Sequence, residues 1–411
     1  MSFLITILIL LLCYALYRYK RRRVHELMEN IPTPPGASSV FGALKYLPQG
    51  RHIIYKLLVD YSRHALENKG ILRIVTDPHL FIGVSNREDV EYILKNYLEK
   101  DNIMDFFQEV LGNASIIASA PTWVRRRKLL MPAFSPKIIK RFVNIQARRG
   151  KELADTLEMD GRVGSVEFSI LPYIHAYTLG SIVGQGEDTK SFLDLIMLSE
   201  QENRLSDEEL REEILVMMLA GTDTSAVSIG YTLLLLAKYP EIQERAYNEI
   251  VKHLGNTDRL LQSEDVMAFE YLNNVVKESL RLFPPVPLLV RNSGDAETTL
   301  PSGPTLPSRT TVFISVWGMH RDPKYWGPNA ECFDPDRFCD KELNVLSFSL
   351  GRRNCIGYKY AMQSVKIAVA SILRHYKVVG VPEVIPVPTI DSTYSIMLRS
   401  MDDFKISLEK R

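Results

Sequence analysis

Cysteine is scarce in this sequence: four residues among 411, namely Cys13, Cys332, Cys339 and Cys355, with no CxxC pair. Such scatter excludes a disulfide framework and fits a reducing compartment. Charge of one sign is missing as well. Fifty Lys and Arg stand against 49 Asp and Glu, so neither a basic excess for nucleic acid nor an acidic tail is present. There is no internal repeat and no low-complexity tract. The eight His show no HxxxH spacing and there is no GxSxG elbow, which leaves hydrolase readings without support. A nucleotide-binding Gly-rich motif is also lacking. What is plentiful is apolar content, 46% of residues. That is ample for a sizeable core and too much for a disordered chain.

The first residues are the most apolar. Met1 to Tyr17 carries no charge (MSFLITILILLLCYALY) and is followed at once by Arg18 and by Lys20 to Arg23. As a helix this run spans ~25 Å, a little under the ~30 Å hydrocarbon core, and Tyr14, Tyr17 and Tyr19 extend its reach at the interface. A cleaved signal peptide is the alternative, but no basic segment precedes the run and no small-residue cleavage site follows it. Positive charge after the span predicts a cytosolic remainder. Residues 1–19 are therefore read as an N-terminal transmembrane anchor. Residues 20–36 form a basic, Pro-rich linker ending in Pro32, Pro34, Pro35 and Gly36, and 37–411 form the main domain.

Two short β-rich runs, Ile71–Val75 and His79–Val84, flank Asp77-Pro78 and read as a hairpin. Most of the remainder reads as helix. Ser206 followed by Asp207, Glu208 and Glu209 is a capping box with acids in the first turn, and Pro240 closes the same helix. This rod of roughly 50 Å is apolar on most faces in its middle and is expected to be buried through the body of the domain. A second helix covers about Leu272–Leu282 and stops at Phe283-Pro284-Pro285. A third starts near Cys355 and runs amphipathically to Ile372. The fold class is mainly α with a small β-sheet region.

Cys355 lies in Phe348-Ser-Leu-Gly351-Arg352-Arg353-Asn354-Cys355-Ile356-Gly357. A sulfur at a helix N-terminus faces free N–H groups and the positive dipole end, and both favour thiolate. Gly351 and Gly357 would let a flat ligand approach the backbone. The competing reading is an inert core Cys in a loop with two arginines. Ala220-Gly221-Thr222-Asp223-Thr224-Ser225 sets a polar cluster inside the apolar rod. Either Asp223 has a function there, or the hydroxyls merely back-bond to helix carbonyls. Glu278 and Arg281 share one helix face, as an ordinary surface pair or as part of something larger. Trp123 and Arg127 sit at i and i+4. Arg125, Arg126 and Lys128 read as solvent-facing, forming either a solvated face or a docking patch for an acidic electron donor.

Together these stretches resemble the cytochrome P450 family, the haem-thiolate monooxygenases. Phe348, Gly351, Arg353, Cys355 and Gly357 match the family's haem-binding signature FxxGxRxCxG at every defined position. Gly221, Asp223 and Thr224 match its oxygen-activation motif. Glu278 and Arg281 match ExxR, Phe333-Asp-Pro-Asp-Arg337-Phe matches the aromatic–Pro–Arg segment, and Trp123 with Arg127 matches WxxxR. The resemblance implies Cys355 as axial ligand to the iron of haem b and Arg127, Arg291 and Arg353 as partners of the haem propionates. Thr224 would hydrogen-bond bound oxygen, Asp223 would relay protons, and Glu278, Arg281 and Arg337 would form a structural triad. Its partners would be an NADPH-cytochrome reductase and cytochrome b5, with a lipophilic substrate and no nucleic acid. It would sit in the endoplasmic reticulum membrane as a single-pass protein with its domain in the cytosol.

RKLLMPAFSPKIIKRF and PPVPLLVR are similar to the microsomal family-four clan, especially its insect branches, whose members often hydroxylate fatty acids. Two departures follow. Many relatives carry Glu where this chain has Ala220, and that Glu can become esterified to haem, so the haem here is expected to be non-covalent apart from the thiolate. Between the helix ending near Leu179 and Phe192-Leu-Asp-Leu, only Gly180–Lys190 remains where the family has two long roof helices. The fold is thus expected to be a shortened cytochrome P450 fold with an internal deletion near 180–190. Three readings follow: a reductase-driven monooxygenase, a catalytically impaired truncated isoform that binds haem poorly or not at all, and a single-pass membrane protein without haem.

Overall fold

The order of elements shows why the first and last thirds of the chain share one small sheet. The computed structural model describes residues 2–20, 22–35, 37, 52–76, 79–184, 205–255, 257–339 and 343–411. In chain order the helices are α1 (Ser2–Lys20), α2 (Arg22–Met28), α3 (Ile53–Glu67), α4 (Arg87–Asn96), α5 (Gln108–Leu111), α6 (Ala120–Leu130), α7 (Pro136–Met159) and α8 (Leu171–Val183). They continue with α9 (Asp207–Lys238), α10 (Pro240–Leu254), α11 (Ser263–Ala268), α12 (Glu270–Leu282), α13 (Val316–Met319), α14 (Pro323–Trp326) and α15 (Tyr358–His375). Strands β1 (Ile71–Thr76) and β2 (His79–Val84) precede β3 (Phe168–Ser169), β4 (Leu288–Asn292), β5 (Thr298–Thr299), β6 (Thr305–Leu306) and β7 (Thr311–Ser315). The last four are β8 (Tyr376–Val379), β9 (Ser392–Tyr394), β10 (Leu398–Ser400) and β11 (Lys405–Lys410).

The hairpin read from Asp77-Pro78 forms: β1 and β2 pair antiparallel from Ile71↔Val84 to Thr76↔His79. The sheet order is β1-β2-β7-β4, with β2 parallel to β7 and β4 antiparallel to it. Met28, the last residue of α2, and Ile31 just beyond it share a buried cluster with Ile71, Ile82 and Leu306 of this sheet region. The basic stretch after α1 is thereby fixed to the domain. The described side chains of α1 are exposed.

Helix α9 is the axis of the larger core. Its start is the expected capping box: Ser206 Oγ accepts from Glu209 N–H, and the Glu209 carboxylate accepts from Ser206 N–H. Pro240 opens the next helix, ending α9 at Lys238. Ser225–Ala237 is buried throughout, and α9 packs against α8, α12 and α15. There Tyr231 stacks on Phe283 at 4.6 Å and meets Phe404 edge-on at 5.0 Å. The first half departs from the expectation of a rod buried end to end. Between Asp207 and Thr224 only Glu213 is buried, and Leu219 is 43% exposed. Helix α9 is long and apolar enough to cross a membrane, but its second half is the centre of this core.

Two further boundaries differ from expectation. Helix α8 runs on to Val183, beyond Leu179. Helix α15 begins at Tyr358, so Cys355 sits in the turn before it. The expected deletion near 180–190 falls mostly outside the described residues.

Candidate active site

The Cys355 loop is a knot of backbone bonds. A 3₁₀ turn at Leu346–Phe348 leads into Ser349 and Gly351, both at positive φ, +60° and +74°. Cys355 N–H donates to Phe348 O at 2.9 Å, and Asn354 N–H donates to Gly351 O at 3.2 Å. Gly351 is required here for a reason other than ligand approach. Its φ suits glycine, and a Cβ would lie 2.4 Å from the Leu94 carbonyl oxygen. Burial pushes the Cys355 thiol up, against a backbone N–H from Gly357 and the charge of Arg127, which pull it down. Solvent nevertheless reaches the residue. A side chain enclosed enough to be desolvated yet still reached by solvent lines a recess. A metal ion there would deprotonate the thiol outright.

Cations gather around this recess. Arg291 is 1% exposed, and its Nη1 donates only to the neighbouring Val290 carbonyl, leaving Nε without a partner. Arg353, 8% exposed, donates to the carbonyls of Leu98, Ala118 and Ser115, and its Nε is unpartnered. Burial pushes both guanidiniums down to about 10. Lys100 completes the group: burial first, then the charges of Arg291 and Arg353, hold its ammonium well below the ordinary lysine range. Among the described residues, three cations share this space, and Glu99 acts in opposition on Arg353. Arg127 turns to the loop itself, donating from both Nη atoms to Asn354 O and Oδ1 at 2.6 Å. Its guanidinium and that of Arg353 lie 5.6 and 5.2 Å from the Trp123 ring.

Glu278, Arg281 and Arg337 come together in full burial. Glu278 accepts from Arg281 at 2.7 and 2.8 Å, from Arg337 Nε at 2.8 Å and from Asp334 N–H at 3.0 Å. Both Glu278 and Arg281 have fully buried side chains, so the pair is no surface pair. Arg281 also donates to the carbonyls of His320, Ala330 and Cys332. His320 then bridges to the Cys loop: Nδ1 meets Arg281 O, and Nε2 accepts from Leu346 N–H at 2.8 Å. Burial holds that imidazole neutral. Ser347 Oγ donates to Leu280 O. Helix α12 therefore grips the loop at two adjacent residues.

The polar cluster of α9 is looser. Thr224 Oγ1 donates to Ala220 O, Ser228 Oγ to Thr224 O and Thr232 Oγ1 to Ser228 O, a ladder of i→i−4 back-bonds. Asp223 is not deeply buried. It lies 3.4 Å from Arg399 of β10 and 3.4 Å from His175 of α8, all three being between 29% and 39% exposed. Gly221 leaves room for Ile182 of α8, which an added Cβ would meet at 2.8 Å. Met217 of α9 and Ile356 of the Cys loop each pack against one apolar cluster that includes Leu130, Phe142 and Ile182.

Sequence reasoning missed Lys100, His175, His320 and Arg399. Each matters through a partner more than 40 residues away or through burial, and neither leaves a local motif. Arg126 was misjudged as solvent-facing. It is 2% exposed and pairs with Glu209, Glu212 and Glu213, whereas Arg125 and Lys128 are exposed as expected. Its neighbour in sequence points outward because adjacent helical residues differ by 100° in direction.

Residues 178–404 match the protein family described as Cytochrome P450. Along most of its length the chain is similar to cytochrome P450 4V2 of Homo sapiens, 27% identical with 86% of this chain and 85% of that protein covered. It is equally similar, at 27%, to the probable cytochrome P450 313a1 of Drosophila melanogaster, covering 88% of this chain and 90% of that one. Over 48% of this chain and 38% of the relative, identity to cytochrome P450 4A11 of Homo sapiens reaches 39%.

Proposed function

The chain belongs to the cytochrome P450 family and is a cytochrome P450 monooxygenase, and on that premise we propose that Cys355 is the axial thiolate of a haem b held by no other covalent bond. The observation that carries this reading is the group of Lys100, Arg291 and Arg353 beside the Cys355 recess, with buried Nε atoms left unpartnered. Three desolvated cations against the single carboxylate of Glu99 suit a ring edge bearing two propionates. When bound, the haem supplies oxygen activation, helped by electron donation from its thiolate.

The chain's own residues do the rest. Phe348, Gly351 and Gly357 shape the loop that presents the sulfur, and Trp123 with Arg127 closes its other side. Glu278, Arg281 and Arg337 hold the loop in place without touching reactants. Asp223 and Thr224 handle protons on the distal side, Asp223 at its carboxylate oxygens and Thr224 at its hydroxyl. Ala220 carries no carboxylate that could be esterified. Electrons come from a separate NADPH-cytochrome reductase, with cytochrome b5 as a second donor. The substrate is a lipophile, fatty acid-like or xenobiotic, the former supported by the sequence resemblance to the family-four clan. Residues 1–19 anchor the chain in the endoplasmic reticulum membrane with the domain in the cytosol.

The test is the absorption spectrum of the reduced, carbon monoxide-bound protein. Wild type gives the red-shifted Soret band of a thiolate-ligated haem. Cys355→Ser loses it, while Cys332→Ala and Cys339→Ala keep it. Retention in Cys355→Ala overturns the assignment. Protease protection of the domain in sealed microsomes overturns the orientation.

One observation favours a second reading, the impaired isoform. The alignment to the human 4V2 protein runs over 453 positions although this chain has 411 residues, so the relative carries segments that this chain lacks. A distal side without its roof would admit water and waste electrons as peroxide. Tight coupling of NADPH consumption to product excludes this reading.

A further inference from the structure

Asp223 has two basic neighbours that belong to neither the loop nor the propionate group. His175 sits on α8, and its Nε2 lies 3.4 Å from Asp223 Oδ1. That nitrogen is buried and makes no hydrogen bond. Arg399 sits on β10, and its Nη2 lies 3.4 Å from Asp223 Oδ2. Both separations exceed the usual 2.7–3.2 Å of an N–H···O bond. The carboxylate is thus held between two donors and gripped by neither. An imidazole nitrogen without a partner is costly in a core. A small rotation would bond it to the Asp223 carboxylate.

We propose that His175 is the proton donor that recharges Asp223, with Arg399 as the positioning residue that keeps the carboxylate aimed between them. The proposal rests on the reading of Asp223 as a proton-handling residue. The step is a simple exchange. The imidazolium Nε2–H bond breaks, the proton passes to Asp223 Oδ1, and the ring, left with its Nδ1–H, turns its bare Nε2 to solvent, takes a proton there and turns back. Asp223 then passes its proton toward Thr224, the next residue of α9.

Among the described residues, the charged groups acting on the His175 ring are Asp223, Arg399 and Asp403. Burial and Arg399 pull its ionisation down, and Asp223 and Asp403 push it up. The ring is therefore mostly neutral at neutral pH, and the supply of imidazolium grows as pH falls toward its depressed value. A mere strut between α8, α9 and β10 would not respond to pH in this way. His175→Gln separates the two roles, because an amide N–H can still reach Asp223 but cannot titrate.

The experiment uses the full chain with histidines labelled in ¹⁵N, read by NMR in its reduced carbon monoxide-bound form and assigned by the resonance lost in His175→Gln. The His175 titration should move down in Asp223→Asn and up in Arg399→Met. In parallel, peroxide released per NADPH consumed is followed across pH. Wild type should couple better at lower pH, and His175→Gln should lose that dependence while keeping its Soret band. A His175 titration unmoved by Asp223→Asn overturns the proposal even in a chain that turns over slowly. If Asp223→Asn leaves coupling unchanged, the reading of Asp223 fails and the relay with it. If Asp223→Asn uncouples but His175→Gln matches wild type at every pH, the relay alone is wrong.

Discussion

Two carboxylates, each set between two basic side chains, divide this molecule. Glu278 is fully buried and holds Arg281 and Arg337 at 2.7–2.8 Å, with a backbone N–H besides. Asp223 is 29% exposed and lies 3.4 Å from both partners. In a desolvated site each lost bond strands a charge, so the first arrangement has one geometry. In the second, water can take the place of either partner at little cost. On the proposed reading, the rigid carboxylate backs the Cys loop and the loose one is the group that takes up and releases protons.

The comparison breaks most severely at Glu278. Glu278→Gln removes the charge facing two buried guanidiniums and should cost on the order of 3–5 kcal/mol. His320 and Ser347 then lose the framework that fixes the Cys loop. The expected result is a chain that accumulates little folded protein and lacks the red-shifted Soret band. Normal yield with an intact band would show that the network is a bystander.

A second effect has opposite signs with and without haem. Ionisation of Arg291 is depressed to about 10 from 12.5, and that of Lys100 lies well below 10.5. Between the depressed and ordinary values the unfolded chain binds more protons than the folded one, so haem-free stability rises with pH through those windows. For Arg291 alone the cost of staying charged is on the order of 3 kcal/mol. Lys100→Met should therefore raise the urea midpoint of the haem-free chain and speed loss of haem from the loaded one. A lowered midpoint without haem would mean that Lys100 is already satisfied by the protein.

In the sequence, the Cys loop was marked by short spacings and Glu278 with Arg281 by a shared helix face, whereas their joining with Arg337, 59 residues from Glu278, came only from the resemblance. The hairpin and the capping box of α9 were readable because turn and cap chemistry is local. Lys100, His175, His320 and Arg399 were not, because their partners lie far along the chain. Burial decides Arg126, and no local pattern separated it from its exposed neighbour Arg125. The partial exposure of the first half of α9 was hidden because its composition matches that of the buried second half.

Asp223→Asn should sharpen the contrast with Glu278. Its partners are more than a third exposed or nearly so, and such pairs contribute about 0–1 kcal/mol. The unfolding midpoint should scarcely move, while peroxide release rises. A stability loss approaching that of Glu278→Gln would erase the distinction between the two carboxylates.

The smallest structural effect is expected at Thr224. Its hydroxyl donates to Ala220 O, a carbonyl that already stands in the α9 ladder. Such a back-bond adds little to a helix and often bends it. Alanine has the higher helix propensity, by a few tenths of a kcal/mol. These terms oppose each other, so Thr224→Ala should change stability by no more than about 0.5 kcal/mol. The Soret band should be unchanged, because no residue of the Cys loop touches this hydroxyl in the hydrogen-bond pattern of the described residues. Coupling is where the substitution should register. The hydroxyl is the first polar group after Asp223 along α9, and removing it leaves the carboxylate without a side-chain relay in the next position. Peroxide per NADPH should therefore rise in Thr224→Ala and return toward wild type in Thr224→Ser, which restores the hydroxyl but not the methyl group. If serine fails to rescue, the methyl group and its packing matter, and Thr224 belongs with the rigid side of the molecule after all.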